Sequence, residues 1–405
     1  MSGKLIGWLA GLAAIVLLLA APLGLQNSPY LMHLAITAFF YAILAASWSL
    51  LAGYAGQFSF GHMAFMAIGA YTSALFGAYI RFTSAPTNLC REIPVGNLWL
   101  VILEPLGVKQ AGAPNCLEIA KATFPVGTVI IQPSLWIGIG LGVIVGGLFG
   151  LLVGGLVLRL RSTYLALFTI GFSEILRAAI SAELDITQGQ SGLEMLPLFP
   201  RGIDFLGLSF SSTSKTPPYY VMLVLFLLCM AIMGWLAASR FGLFIRSIRE
   251  DEEAAAALGV HVVRYKVLVF VVTAMMAAAA GAVQGHYIGI ITPNILIIAQ
   301  MSLVIAMAVI GGLENIVAAA VGAIILEFAL ELLRNSFDIG SFTIDMTTWR
   351  LVCFGLLLMI TLRFFRNGLI HPIFLSFSRR GMAEATVAKR QMTADMTPPE
   401  ATSEV

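Results

Sequence analysis

Apolar residues along this chain run in blocks of about 20, separated by short polar or charged breaks, rather than alternating with a strand or surface-helix period. At about 1.5 Å per helical residue, such a block matches the roughly 30 Å hydrocarbon core of a bilayer. The blocks lie at 5–23, 30–51, 62–80, 134–158, 163–181, 219–237, 267–290, 296–310, 316–333 and 347–362. They predict an all-α polytopic membrane protein with about ten spanning helices in one membrane domain over 1–366. The first block follows Lys4 and is long for a signal peptide, and Pro22 after Ala20 and Ala21 suits cleavage poorly. It is expected to be a retained helix. After Pro372 the apolar character is lost, so 367–405 reads as a tail that is disordered beyond about 380.

Basic residues orient these helices, because Lys and Arg in short loops stay on the cytoplasmic side. With the N-terminus inside, strict alternation collects Arg159 with Arg161, the segment 239–266, and Arg363, Arg366, Arg379 and Arg380 on that side. Both termini are then cytoplasmic, and 81–133, 182–218 and 334–346 lie outside. Removing one helix between two basic clusters would break this agreement. Composition agrees: 59% of the 405 residues are hydrophobic and 11% charged, against roughly a quarter charged in soluble domains. A net charge of +2 gives no global field to attract nucleic acid.

Candidate chemistry is concentrated in a few places. The segment 239–266 is dense in charge yet rich in alanine, and Arg246, Arg249, Glu250 and Glu253 fall three or four apart, as on one helix face. Gly259 suits a left-handed C-terminal cap. Gly53, Gly56 and Gly61 interleave with Gln57, Ser59 and His62, so a regular helix is not expected there. Broken backbone of this kind either lines a transport path or forms the cytoplasmic turn between two helices. Glu174 and Arg177, three apart in the fifth helix, are expected to pair, with substrate contact as the alternative. Glu327 and Glu331 near Arg334 read as a gate or an outer-end salt bridge, and His286 as a packing residue before a proton relay. Glycines at 138, 142, 146 and 150 draw one stripe along the fourth helix, expected to pack within the subunit or against a partner. Cys229 and Cys353 lie in apolar runs and read as small core residues. No Gly-x-x-x-x-Gly-Lys loop is present, and the five histidines and four cysteines lack metal-ligand spacing.

Three stretches carry a family resemblance. Residues 41–71, with Ser-Trp-Ser-Leu-Leu-Ala-Gly-Tyr-Ala-Gly-Gln-Phe-Ser-Phe-Gly-His at 47–62, are one, and 159–177 with 187–193 are the second. The third joins 239–260, with Glu253-Ala254-Ala255 followed by Gly259, to Gly311-Gly312-Leu313-Glu314-Asn315. Over 41–366 the chain resembles the M-type permease of branched-chain amino acid ABC importers, although the usual Leu-Pro downstream of the Glu-Ala-Ala signature is missing. The resemblance implies a bacterial inner-membrane importer subunit, with Arg246, Arg249, Glu250, Asp251, Glu253, Ala254, Ala255 and Gly259 in a loop that couples to an ATPase. It further implies a second, related permease, two cytoplasmic ATPase subunits holding ATP and Mg, and a periplasmic binding protein that delivers leucine, isoleucine or valine. This chain itself is expected to carry no cofactor or metal and to be no enzyme. Gly53, Gly56, Gln57, Ser59, His62, Glu174 and Arg177 are the path candidates. A urea or short-amide importer permease is the near alternative; an ATP-independent channel or secondary transporter is the alternative of another class, with a membrane-embedded enzyme a distant third.

Cys90 and Cys116 fall in the long stretch 81–133, where an oxidising compartment would permit a disulfide. Thiol labelling with and without reductant checks this: the pair should label only after reduction, and two thiols reactive beforehand would exclude the bond.

Overall fold

The computed structural model describes residues 3–25, 28–82, 90–95, 98–105, 130–131, 134–157, 162–183, 186–199, 202–205, 208–211, 214–334, 337–339, 342–344, 346–364 and 368. Its helices are α1 Gly3–Leu25, α2 Pro29–Trp48, α3 His62–Ala78, α4 Leu135–Val157, α5 Ser162–Ala182 and α6 Thr216–Ala238. They continue with α7 Arg240–Glu250, α8 Glu252–Ala257, α9 Val262–Ile288, α10 Ile298–Gly311, α11 Ile316–Leu332 and α12 Met346–Phe364. Each predicted span coincides with a helix. Among the described residues five stretches are long and apolar enough to cross a bilayer alone, and α10 with α11, bent by 118° at their junction, make a sixth when counted together. The helix α3 has only 17 residues, and α12 holds a shorter apolar run, Val352–Thr361.

The region after α3 adds β-structure that the helical expectation lacks. A four-stranded antiparallel sheet forms from Tyr79–Phe82, Cys90–Val95, Leu98–Pro105 and Ile130–Ile131, with the third strand between the second and the first. Runs such as Leu98-Trp99-Leu100-Val101-Ile102 have the branched and aromatic composition that favours strands. Cys116 lies outside the described residues, as do the 159–161 basic cluster and the tail apart from Gly368.

The glycine stripe of α4 explains the packing at the centre. Its buried positions are Gly138, Gly142, Gly146, Gly147, Gly150, Val153, Gly154 and Val157, while Ile137, Ile144, Leu148, Leu152 and Leu156 are exposed. This inverts a soluble helix: large apolar groups face outward and small ones inward. In lipid no hydrophobic force drives helices together, so close van der Waals approach must do so. A side chain at Gly142 would run into the Gly69 backbone of α3, one at Gly146 into Ala278 of α9, and one at Gly150 into Ala274. Gly69 in turn rests on the Ala278 backbone, and Gly281 of α9 on that of Met66. The stripe therefore packs within this chain.

On the other flank, α2 is enclosed by α6, α9 and α11. Phe39 stacks on Phe226 and meets the edge of Tyr219, with ring centroids 5.4 and 5.5 Å apart. Pro22 within α1 lacks an N–H, which removes the helical donor for the Leu18 carbonyl. The Tyr219 hydroxyl donates to that carbonyl at 2.8 Å, docking α1 against α6 where its own hydrogen bonding fails.

Gly142→Leu should force α4 off α3 and cost roughly 1–3 kcal/mol or more, as overpacking does. Gly140→Leu and Gly155→Leu, where nothing lies within 4 Å, should be near neutral. Thermal unfolding of the three purified variants in detergent checks this; equal midpoints would refute the packing role.

Candidate functional site

The junction of α2 and α3 is irregular and buried. From Ser49 to Tyr54 the helix widens to a π-turn, Gln57 donates its backbone N–H to the Leu51 carbonyl at 3.1 Å, and Gly56 adopts φ +67°. Backbone freed by such a break must find partners inside the protein. Several side chains supply them: Trp48 Nε1 donates to the Ser59 carbonyl at 2.8 Å, and Thr169 Oγ1 of α5 accepts from the Phe60 N–H at 3.0 Å. Ser59 Oγ accepts from the Gly61 N–H at 3.1 Å. Gln57 and His62 are buried, and neither amide atom of the one nor ring nitrogen of the other has a hydrogen-bond partner.

This break touches the charged segment. Gly53 packs on the Leu313 carbonyl, which also accepts from Ser49 Oγ at 2.8 Å, and Gly56 packs on Arg249. The Arg249 guanidinium donates to the Gly53 carbonyl and holds the carboxylates of Glu250 and Glu314, each at 2.9 Å. Arg246 lies 4.5 Å over the Tyr54 ring. Burial pulls the Arg249 pKa down, but its carboxylate partners outweigh this and leave it raised. Glu314 belongs to the corner Gly312-Leu313-Glu314-Asn315 between α10 and α11. Asn315 closes that corner by accepting from the N–H groups of Val317 and Ala318 at 3.0 and 3.2 Å. One cation thus ties α7 to two breaks far apart in sequence.

The charged segment is two helices rather than the single face expected from its spacing. Ile245 and Ile248 bury one side of α7, and Asp251 then turns extended and accepts from the N–H groups of Glu253 and Ala254 at 2.9 and 3.0 Å. The short acidic side chain caps a new helix instead of prolonging the old one, so Glu253 leaves the face of Arg246 and Arg249. At the far end Gly259 takes φ +84°, with Val260 N–H bonded to Ala255 and Gly259 N–H to Ala256 at 3.1 and 2.9 Å. This is the Schellman closure anticipated from glycine. Of α8 only Ala255 is buried, whereas Glu253, Ala254, Ala256, Ala257 and Leu258 project outward. Its base is held by an ion pair between Lys266 and Glu252.

A cavity of about 220 Å³ opens at the opposite end. Its walls are stripes at helical spacing: His33, Thr37, Phe40 and Tyr41 from α2, Met63, Met66 and Ala70 from α3, and Gly281, Gln284, Gly285 and Ile288 from α9. Ile290, Ile291, Ile295 and Gln300 close it. From Met63 to Ala70 the wall runs about 10 Å along α3, at 1.5 Å per residue. A second cavity of about 420 Å³ shares His33 and Ile288 and adds Lys215, Leu198, His286 and Tyr287. His33 Nδ1 and the Tyr287 hydroxyl, 2.6 Å apart, stand where the two meet. The strand pair Leu193–Glu194 with Ile290–Ile291 straps the end of α9 beside them.

None of the seven path candidates lines the cavity. Gly53 and Gly56 face Leu313 and Arg249; Gln57, Ser59 and His62 lie in the buried break. Glu174 and Arg177 pair at 2.8 Å on α5, as expected of neighbours three apart. His286 has both nitrogens engaged, Nδ1 donating to the Leu196 carbonyl and Nε2 accepting from Ser73, each at 2.7 Å, which bears out the packing role. Glu331 accepts from Tyr30 at 2.7 Å and pairs with Arg334 at 3.1 Å, a salt bridge as in the second of the two readings. Sequence reasoning missed His33, Tyr287, Gln284, Gln300, Tyr54 and the Lys266–Glu252 pair. The one usable signal was an amide or a cation within an otherwise apolar run.

Comparison with known proteins now bears on this arrangement. The chain is 28% identical over 272 residues to the high-affinity branched-chain amino acid transport system permease protein LivM of Salmonella typhimurium, covering 62% of this chain and 64% of that protein. The Escherichia coli LivM matches at 27% over 360 residues, 84% of this chain and 72% of that one. The permease protein LivH of E. coli matches at 27% over 325 residues, 79% of this chain and 90% of that one. No solved structure matches. The family model described as branched-chain amino acid transport system / permease component matches residues 30–362, and the chain belongs to that family.

Proposed function

We propose that this chain is a membrane-spanning permease subunit of an ATP-driven importer of branched-chain amino acids. Family membership and the names of the LivM and LivH relatives support the substrate class. The observation that carries the coupling half of the reading is α8. It is a capped helix that buries Ala255 and exposes the rest of its surface, joined through Asp251 to α7, whose Arg249 grips the α2–α3 break and the α10–α11 corner together. A push on α8 would therefore reach both broken helices through one guanidinium.

In this reading α8 docks on a cytoplasmic ATPase subunit that binds ATP and Mg, and Leu258, 85% exposed, supplies the apolar tip. Similarity to both LivM and LivH, named as permeases of the same kind of system, supports a second, related permease beside this one. A periplasmic binding protein would hand the amino acid to the outer end, where the two cavities open. Ten spans with both termini in the cytoplasm of the inner membrane complete the proposal. It fits the basic segment, α8 and the Arg249 junction on one side.

Leu258→Asp touches no packed group, so it should leave folding intact while abolishing co-purification of the ATPase and ATP-dependent leucine uptake in proteoliposomes. Arg249→Ala should keep the complex assembled and hydrolysing ATP, but lower uptake per ATP roughly tenfold, as loss of charge-assisted hydrogen bonds does. Wild-type coupled uptake in both variants would refute the assignment. Topology has its own check: a reporter fused after Val405 should be active only if it functions in the cytoplasm, and activity restricted to the periplasmic reporter would overturn the orientation.

A further inference from the structure

Among the five described stretches that can cross a bilayer alone, α5 is the one least covered by the rest of the chain. Its buried side carries Leu165, Thr169, Ser173 and Ile180, while Tyr164, Leu167, Ile175 and Ala178 recur at helical spacing along the opposite, exposed face. The Glu174–Arg177 pair stands at the edge of that face, its side chains 41% and 34% exposed. Within the span Tyr164–Ala182, Glu174 is ten residues from one end and eight from the other. At 1.5 Å per residue these are about 15 and 12 Å, which puts the carboxylate close to the middle of the bilayer. Arg177 does not stretch toward the membrane surface to meet water: its Nε and Nη2 both turn onto Glu174 Oε2 at 2.8 Å. Oε1 and Nη1 are left outside that pair.

Lipid tails offer no hydrogen bonds, and charged groups at this depth face protein or water rather than hydrocarbon. The exposed faces of α4 and α6 are what a lipid surface requires, with Ile144, Leu148 and Leu152 on the one and Val224, Leu228 and Ile232 on the other. The α5 face differs in charge, and it differs in shape. Gly171, one turn before Glu174 and Ile175, has nothing within 4 Å of the side chain it lacks, so it leaves an open notch. A notch beside a half-exposed ion pair admits the close approach of another helix, and only a helix that itself crosses the membrane can bring a polar group to Oε1 and Nη1 at this depth. We infer that this face of α5 is the interface with the second permease subunit, one of whose spanning helices packs over Gly171 and hydrogen-bonds to the Glu174–Arg177 pair. The inference rests on the importer reading for the identity of that partner, a related permease, and adds the surface on which it sits.

The test uses the complete importer in its native membrane, with this chain and the second permease carrying different tags. The photoreactive residue p-benzoylphenylalanine replaces Leu167 or Ile175 on α5, and Leu148 on α4 or Leu228 on α6 as controls. Illumination should join the α5 positions, and not the controls, to the second permease. A second measurement uses Gly171→Leu, which meets no atom of its own chain at the added Cβ. This variant should accumulate in the membrane as wild type does, yet retain the second permease about tenfold less on purification, as overpacking at one helix contact does. Failure to capture the second permease from α5, capture only of another copy of this chain, or equal capture from the controls would overturn the interface. Wild-type retention of the partner by Gly171→Leu would overturn it too. If the wild-type chain purifies with no second permease, the importer reading falls together with the interface; if a second permease is retained but captured from α4 or α6 alone, the α5 face falls and that reading stands.

Discussion

Backbone polar groups at membrane depth have no water to turn to, and this constraint governs where the chain can afford to be irregular. Among the described residues, the α2–α3 break and the α10–α11 corner depart from regular helix and lie against each other. Ser49 and Arg249 tie them with hydrogen bonds to the Leu313 and Gly53 carbonyls. Because each break satisfies part of the other, neither can be rearranged alone. That mutual dependence suits a junction that moves as a unit.

A second consequence of the apolar solvent is the inversion of side-chain size. Glycine and alanine occupy the contacts among α3, α4 and α9, and leucine and isoleucine the outer face of α4. Backbones that meet without intervening side chains cannot slide far before atoms collide, so this trio forms the rigid part of the bundle. The cavity borders it, with its α3 and α9 walls borrowed from that trio and its α2 wall from the other flank. The cavity therefore has two walls in the closely packed trio and one on the helix linked to the Arg249 junction.

The α8 segment shows how local chemistry redirects a helix. Spacing alone suggested that Arg246, Arg249, Glu250 and Glu253 share one face, yet Asp251 is also a strong N-cap, and capping prevailed over continuation. Arg249, freed from an intrahelical partner four residues on, found Glu314 from a corner 65 residues away. Gly259, by contrast, was readable in advance, because a left-handed cap is a property of one residue and its neighbours.

The same division runs through the whole protein. The apolar blocks, the helices they form, the need for a break near Gly56, the Glu174–Arg177 pair and the glycine stripe are all consequences of short-range chemistry, so the sequence by itself determined them. What faces what was decided only by tertiary structure. Gln284, Gln300 and Tyr41 are polar residues in apolar runs, and nothing in their neighbours distinguishes a cavity wall from a satisfied packing site such as Ser47, buried with its hydroxyl on the Leu44 carbonyl. That distinction depends on which helices converge and on the space left between them, a property of contacts between residues such as Tyr41 and Gln300, 259 positions apart.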